Sequence, residues 1–311
     1  MPGSEQNADG GGREGLVAAG LLEAGAVLEQ LATGFVFTEG PIWDPREDCL
    51  LFSDIGGNAR WRWDAGSGVQ ESRRPSNKGN GMTRDGAGNL VICQYDPSAV
   101  VRERPDGHRE MLATHYQGNE LNSPNDVVVA RDGSVYFTDP SYGRRGGHAS
   151  EGAGARELDY QGVYRIAPDG QISLVVKPDE FEMPNGLCFD VEESQLYIDD
   201  TPRGEVKVFD VDGSGALSNG RVFAELRDPS RAGVPDGLKC DERGNLWVTG
   251  PGGIWVFDPG GEQLGFIDMP EVTANLNWGG PDWSELYITA STSIYRLPTS
   301  VSGRRSSYMV V

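Results

Sequence analysis

Six short segments place an acid or an amide at the same point of a recurring pattern: Glu39-Gly40, Asn80-Gly81, Asn125-Asp126, Asn185-Gly186, Asp236-Gly237 and Asn275-Leu276. Two carboxylates and several amide oxygens make a hard oxygen site, suited to Ca²⁺ or another hard divalent ion. No histidine or cysteine takes an equivalent position, which argues against a structural zinc site. Asn-Gly and Asp-Gly pairs ordinarily mark hairpin turns. Asp85-Gly86, Asp132-Gly133 and Asp169-Gly170 read that way, because each falls between two strand-like runs. The six opening pairs differ, because each leads into the first strand of its copy.

The elements that must position these residues follow from the repeat. Roughly 10 to 12 residues after each opening comes a β-rich run: LFSD from Leu51, LVIC from Leu90, VYFT from Val135, LYID from Leu196, LWVT from Leu246 and LYIT from Leu286. A third strand follows at Trp61, Val100, Val163, Val206, Ile254 and Ile294. An Asp/Pro/Gly turn such as Pro105-Asp106-Gly107 then leads to a fourth. The predicted fold is all-β, a six-bladed β-propeller in which the openings gather around the axis at one end. The sixth copy ends near Leu297 without a fourth strand, and the run Ala26 to Leu31 is expected to supply it, closing the ring without a free sheet edge. Residues 1–14, Gly-rich and polar, are expected to form a disordered tail ahead of a single propeller over 15–311. Blade three carries a long insertion from Pro140 to Gly162, a candidate lid over the channel mouth.

Composition sets further limits. The formal charge of −20 argues against nucleic acid or an anionic membrane as partner. No apolar run reaches the roughly 20 residues of a membrane span. The stretch Gly15 to Leu31 is interrupted by Glu23 and Glu29 and lacks a basic start, so the cytoplasm is the expected location. Cys49, Cys93, Cys188 and Cys240 sit singly in apolar runs and read as small buried hydrophobes.

At the opening segments the chain resembles the gluconolactonase branch of the SMP-30/gluconolactonase/regucalcin-like family. The matching segments are Phe37-Thr38-Glu39-Gly40-Pro41, Leu121-Asn122-Ser123-Pro124-Asn125-Asp126, Phe137-Thr138-Asp139-Pro140, Met183-Pro184-Asn185-Gly186-Leu187, Val234-Pro235-Asp236-Gly237-Leu238 and the run Asn275 to Thr289. The resemblance implies a six-bladed fold and hydrolysis of sugar lactones and related cyclic esters. It implies one divalent ion, with Ca²⁺ first and Zn²⁺, Mn²⁺ or Mg²⁺ as alternatives. By the same resemblance the metal ligands are Glu39, Asn185 and Asp236, with Asn125 a ligand or a substrate contact. Two segments depart from the family pattern: Asn119-Glu120 stands where a basic pair is common, and Cys93-Gln94-Tyr95-Asp96 where a His-containing motif is common. Glu120 is therefore a candidate substrate contact.

Lactone opening needs a polarised carbonyl, an activated water and a stabilised oxyanion. Asp236 is the candidate base and Glu39 its alternative. Asn125 and Asn80 are candidate contacts to substrate hydroxyls or the oxyanion. No Gly-x-Ser-x-Gly nucleophile motif is present, and Gly66-Ser67-Gly68 reads as a turn. His108, His115 and His148 fall in turn, outer-strand and loop contexts, and Arg144 and Arg145 in the long loop read as a solvated face. Two other readings stay open, a phosphotriesterase-like hydrolase using the same ring and a non-catalytic calcium-binding propeller.

Overall fold

Each sequence copy folds as one antiparallel four-stranded sheet, and the six sheets are the blades of a propeller in the computed structural model, which describes residues 12–144, 155–306 and 309. Blade 1 runs outward from the axis through Thr38–Asp44, Cys49–Asp54, Ala59–Asp64 and Gly68–Arg73. Blade 2 follows with Gly79–Arg84, Leu90–Tyr95, Ser98–Glu103 and Arg109–Ala113. The innermost strands of blades 3 to 6 are Val127–Val129, Pro184–Phe189, Leu238–Cys240 and Thr273–Gly279.

The ring closes as the repeat requires. Glu29–Thr33 is the outer strand of blade 6 and pairs antiparallel with Ser293–Pro298, Gln30 opposite Tyr295 and Thr33 opposite Ser293. The closing strand thus starts at Glu29 rather than at Ala26, whose carbonyl instead accepts a hydrogen bond from Arg13 at 2.6 Å. Of the expected tail, residues 1–11 lie outside the described residues, whereas Gly12–Ala18 is a helix and so moves the start of the ordered fold ahead of residue 15. Its Leu16 is fully buried with Leu21, Trp247 and Ile267, and Gly15 lies so close to the Leu264 carbonyl of blade 5 that a Cβ there would stand 2.2 Å from the oxygen. One apolar side chain per turn is enough to hold the segment down, a signal too short to show as helical periodicity.

The core lies between blades rather than in one central mass. Trp247 meets Trp278 edge-on between blades 5 and 6, and Trp43 stacks on Tyr287 at 5.2 Å across the closing interface of blades 6 and 1. All four cysteines are free and buried, as expected of small apolar residues. No helix among the described residues is long and apolar enough to cross a membrane. Deleting residues 1–33 should open blade 6 and abolish cooperative thermal unfolding, whereas Leu16→Ala should keep it and cost about 2–5 kcal/mol in denaturant titration.

Candidate functional site

The innermost strands converge so tightly that the residue after Glu39, Asn80, Asn185 and Asp236 must be glycine. A Cβ on Gly40 would lie 2.3 Å from the Asn80 carbonyl oxygen, one on Gly81 2.7 Å from that of Asn125, and one on Gly186 2.4 Å from that of Asp236. These glycines therefore serve close approach between blades, not turns. Irregularities in strand register at Glu39/Ile42, Gly79/Met82, Pro184/Leu187 and Thr273/Asn275 are bulges that aim the ring side chains at the axis. One position of the second strand then ties blades 1, 2, 3 and 5 each to the next. Ser53 Oγ donates to the Asn80 carbonyl at 2.8 Å, Thr138 Oγ1 to that of Asn185 at 2.6 Å and Thr249 Oγ1 to that of Ala274 at 3.2 Å. In blade 2 the Cys93 thiol takes this place, 3.6 Å from the Asp126 carbonyl.

Glu39, Asn80, Asn125, Asn185 and Asp236 line one cavity of about 120 Å³ together with Tyr95, Tyr142 and Thr201 and the apolar Phe37, Ile55 and Val234. The Tyr95 hydroxyl accepts from Asn80 Nδ2 at 2.7 Å and from Asn125 Nδ2 at 3.2 Å. Both amides are thereby turned to one orientation, and Asn80 Oδ1 is left buried with no hydrogen-bond partner. Asn185 donates to Thr201 Oγ1 at 3.1 Å, and Thr201 in turn donates to the Pro235 carbonyl at 2.7 Å, holding the segment before Asp236. The sixth ring member, Asn275, sits behind this wall and donates to Glu39 Oε2 at 3.0 Å. Its own Oδ1 accepts from the Leu276 N–H at 2.9 Å and from Lys239 Nζ at 3.4 Å. The Lys239 ammonium also stands 3.6 Å from Asp126.

The two carboxylates are in electrostatic conflict. Burial, then the Asp126 charge, pushes Glu39 up to about 7. Asp236 is raised well above the usual carboxylate range by burial and then by Glu39 beside it, with a hydrogen bond from Asn185 acting the other way. A cation placed between them would relieve that repulsion. Among the described residues no cluster of three or more His, Cys, Asp or Glu is arranged to hold a metal ion, so a metal here would draw on amide oxygens beside the two carboxylates. The donor set, oxygens only with one of them orphaned on Asn80, fits a hard divalent ion.

Glu120 is not brought to this cavity. It lies on a small hairpin, His115–Tyr116 paired with Asn119–Glu120, and its carboxylate meets Arg144 at 2.8 Å. Arg144 is accordingly no solvated loop residue, since its guanidinium also donates to the carbonyls of Asn122 at 2.6 Å and Leu121 at 2.9 Å. It braces the segment that carries Asn125, helped by buried Asp139, which accepts the N–H groups of Asn122 and Ser123 at 2.8 Å each. Of the expected lid, residues 145–154, including Arg145 and His148, lie outside the described residues, while Tyr142 just before them reaches the cavity wall. Tyr95, Tyr142, Thr201 and the supporting role of Asn275 were not apparent from the repeat. Tyr95 ends a second strand, where the departure from the family motif at Cys93–Asp96 was the available signal.

Fold and site together define a six-bladed propeller with an oxygen-lined axial pocket. The model of the SMP-30/gluconolactonase/LRE-like region matches residues 37–292, and the chain belongs to that family. A gluconolactonase of Zymomonas mobilis is 31% identical over 304 residues, covering 91% of this chain and 84% of that one. Regucalcin of Xenopus laevis is 29% identical over 81% of this chain and 82% of its own length. Among solved structures, a gluconolactonase of Xanthomonas campestris superposes with a TM-score of 0.82 at 34% identity, over 91% of this chain and 92% of that one.

The raised acidity constants carry a sign for stability. Without divalent ions the folded protein keeps a proton on Glu39 that the unfolded chain releases above about 4.5, so unfolding free energy falls as pH rises to about 7 and the penalty is complete above it. Glu39→Gln should flatten this loss. The difference in melting temperature between variant and wild type in chelator should therefore grow from pH 4.5 to pH 7; a constant difference would contradict the assignment.

Proposed function

We propose that this chain is a metal-dependent lactonase, opening a sugar lactone or related cyclic ester in the cytoplasm. The observation that carries the reading is the contact of Glu39 with Asp236 on the floor of a cavity otherwise lined by amides and hydroxyls. The similarity to gluconolactonases supports the reaction class. Glu39, Asn185 and Asp236 hold the ion, with Asn125 as a further ligand or a contact to substrate. Ca²⁺ suits the oxygen set best, ahead of Zn²⁺, Mn²⁺ or Mg²⁺. When bound, the ion supplies Lewis-acid polarisation of the lactone carbonyl and lowers the pKa of water.

The chain's own residues do the rest. Asp236, or failing it Glu39, takes a proton from the attacking water, whose oxygen adds to the carbonyl carbon. The ring C–O bond then breaks, and the leaving oxygen takes up a proton to become the hydroxyl of the open hydroxy acid. Asn80 and Asn125, each held by Tyr95 through an Nδ2–H, offer Oδ1 as an acceptor to the substrate's hydroxyls, and only the second Nδ2–H of each can donate to the developing oxyanion. Phe37, Ile55 and Val234, the apolar lining, lie against the carbon framework and exclude water.

Asp236→Asn keeps an oxygen donor and nearly the same shape but cannot accept a proton at neutral pH. It should lower kcat on glucono-δ-lactone by about 100-fold or more, and the loss should persist at metal concentrations that saturate the variant. Recovery at saturating metal would reduce Asp236 to a ligand. Chelation should abolish activity and Ca²⁺ or Mn²⁺ restore it, with an organophosphate substrate turned over far more slowly; the reverse preference would favour a phosphotriesterase.

A further inference from the structure

Blades 1 and 2 meet differently from the other pairs. Near the axis they share a small apolar cluster of Ile42, Cys49, Leu51, Met82, Leu90 and Ile92. Farther out, where the closing interface of blades 6 and 1 packs tryptophan and tyrosine, this interface is filled by arginines. The cause is strand alternation. Arg60 and Arg62 point towards blade 2, while Trp61 and Trp63 on the opposite face pack with Phe35 and Tyr287. In Ser98–Glu103 of blade 2, Glu103 likewise faces blade 1.

The charges at this interface do not balance. The buried Glu103 carboxylate receives Arg60 at 2.6 Å and both Arg73 and Arg109 at 3.4 Å, three guanidiniums on one acid. Next to it Asp44 receives Arg84 at 2.6 Å and Arg46 at 3.7 Å. Arg62 pairs with Asp64 at 3.4 Å, and the charge of exposed Arg104 at the lip is offset by that of exposed Glu47. Two positive charges are thus unmatched at Glu103 and one at Asp44, on a chain whose net charge is −20. Burial and the neighbouring Arg73 already press the Arg109 guanidinium towards its neutral form. The Nε–H groups of Arg60, Arg62 and Arg73 are buried and have no hydrogen-bond partner. Partly desolvated like charges are costly, and apolar residues would serve structure at lower cost. Arg46, Arg60, Arg62, Arg84 and Arg104, against Asp44, Glu47 and Glu103, line a groove of about 360 Å³, open to solvent, that runs to the ends of Thr38–Asp44 and Gly79–Arg84 remote from Glu39 and Asn80, with Arg73 and Arg109 behind Glu103.

We propose that this groove binds a small dianionic oxyanion, a phosphate group, held by Arg60 and Arg62 with Arg104 at the entrance. Planar guanidinium forks match phosphate oxygens in pairs, and two added negative charges offset most of the surplus. The site is separate from the axial cavity and opens on the other face of the propeller, so a phosphate-bearing metabolite can occupy it while a lactone turns over.

The test titrates the full chain with inorganic phosphate and, separately, with glucose 6-phosphate, by calorimetry at constant ionic strength set with chloride. Gluconate serves as the singly charged control. One phosphate should bind per chain with a dissociation constant of about 1 mM or below. Arg62→Ala and Arg104→Ala, neither of them in the lactonase site, should each weaken it at least about tenfold, with circular dichroism and lactone hydrolysis unchanged. Glucose 6-phosphate binding as well as inorganic phosphate would assign a metabolite's phosphate group; binding of inorganic phosphate alone would assign the free ion, and either outcome upholds the site. No saturable binding, equal binding of gluconate, or phosphate affinity lost in Asp236→Asn but kept in Arg62→Ala would overturn it.

Discussion

The close approach of six innermost strands around one axis governs this structure. Where Gly40 faces the Asn80 carbonyl and Gly186 faces that of Asp236, there is no room for a Cβ. The backbone therefore has one way to pass, with a bulge, and the residue just before each glycine turns its side chain into the channel. Hydroxyls of Ser53, Thr138 and Thr249 lock that geometry by taking up carbonyls of the next blade. Functional side chains are thus carried on rigid strands rather than on loops, so a hydrolytic site needs no further scaffold.

The cost of the arrangement is electrostatic. Glu39, Asp126 and Asp199 are all buried near the axis, and half-buried Asp236 lines the cavity. Lys239 offsets one of these charges through Asp126. Burial, and then the charges of Asp236 and Asp126, pushes Asp199 well above the ordinary carboxylate range. Glu39 and Asp236 remain, side by side and both resisting ionisation. Binding a divalent cation would convert that repulsion into attraction, which gives the proposed metal site its driving force. The Arg-lined interface of blades 1 and 2 shows the same physics with the sign reversed.

Much of this was legible in the sequence because the repeat specifies both fold and ring. Six openings, each followed within about 10 to 12 residues by a β-rich run, place Glu39, Asn80, Asn125, Asn185 and Asp236 together without any knowledge of side-chain contacts. Glu120 shows the limit: proximity in sequence to Asn125 does not survive the small hairpin that turns it towards Arg144. Tyr95 and Asn275 act through hydrogen bonds to residues in other blades or strands, and such partners are set by tertiary packing rather than by local pattern. The helix Gly12–Ala18 was hidden by its glycines, since a single buried Leu16 holds it. The surplus of arginine between blades 1 and 2 is likewise invisible until strand alternation and blade order are combined.

The proposed metal site requires the ring oxygens to gather around one divalent cation. Anomalous diffraction from crystals soaked in Mn²⁺ tests it most directly, because it locates the ion without reference to activity. One strong anomalous peak is expected in the axial cavity, within about 2.0–2.6 Å of carboxylate oxygens of Glu39 and Asp236 and of the Asn185 amide oxygen. A cavity without such a peak at saturating Mn²⁺, or an ion held elsewhere while these three residues keep their hydrogen bonds to one another, would contradict it.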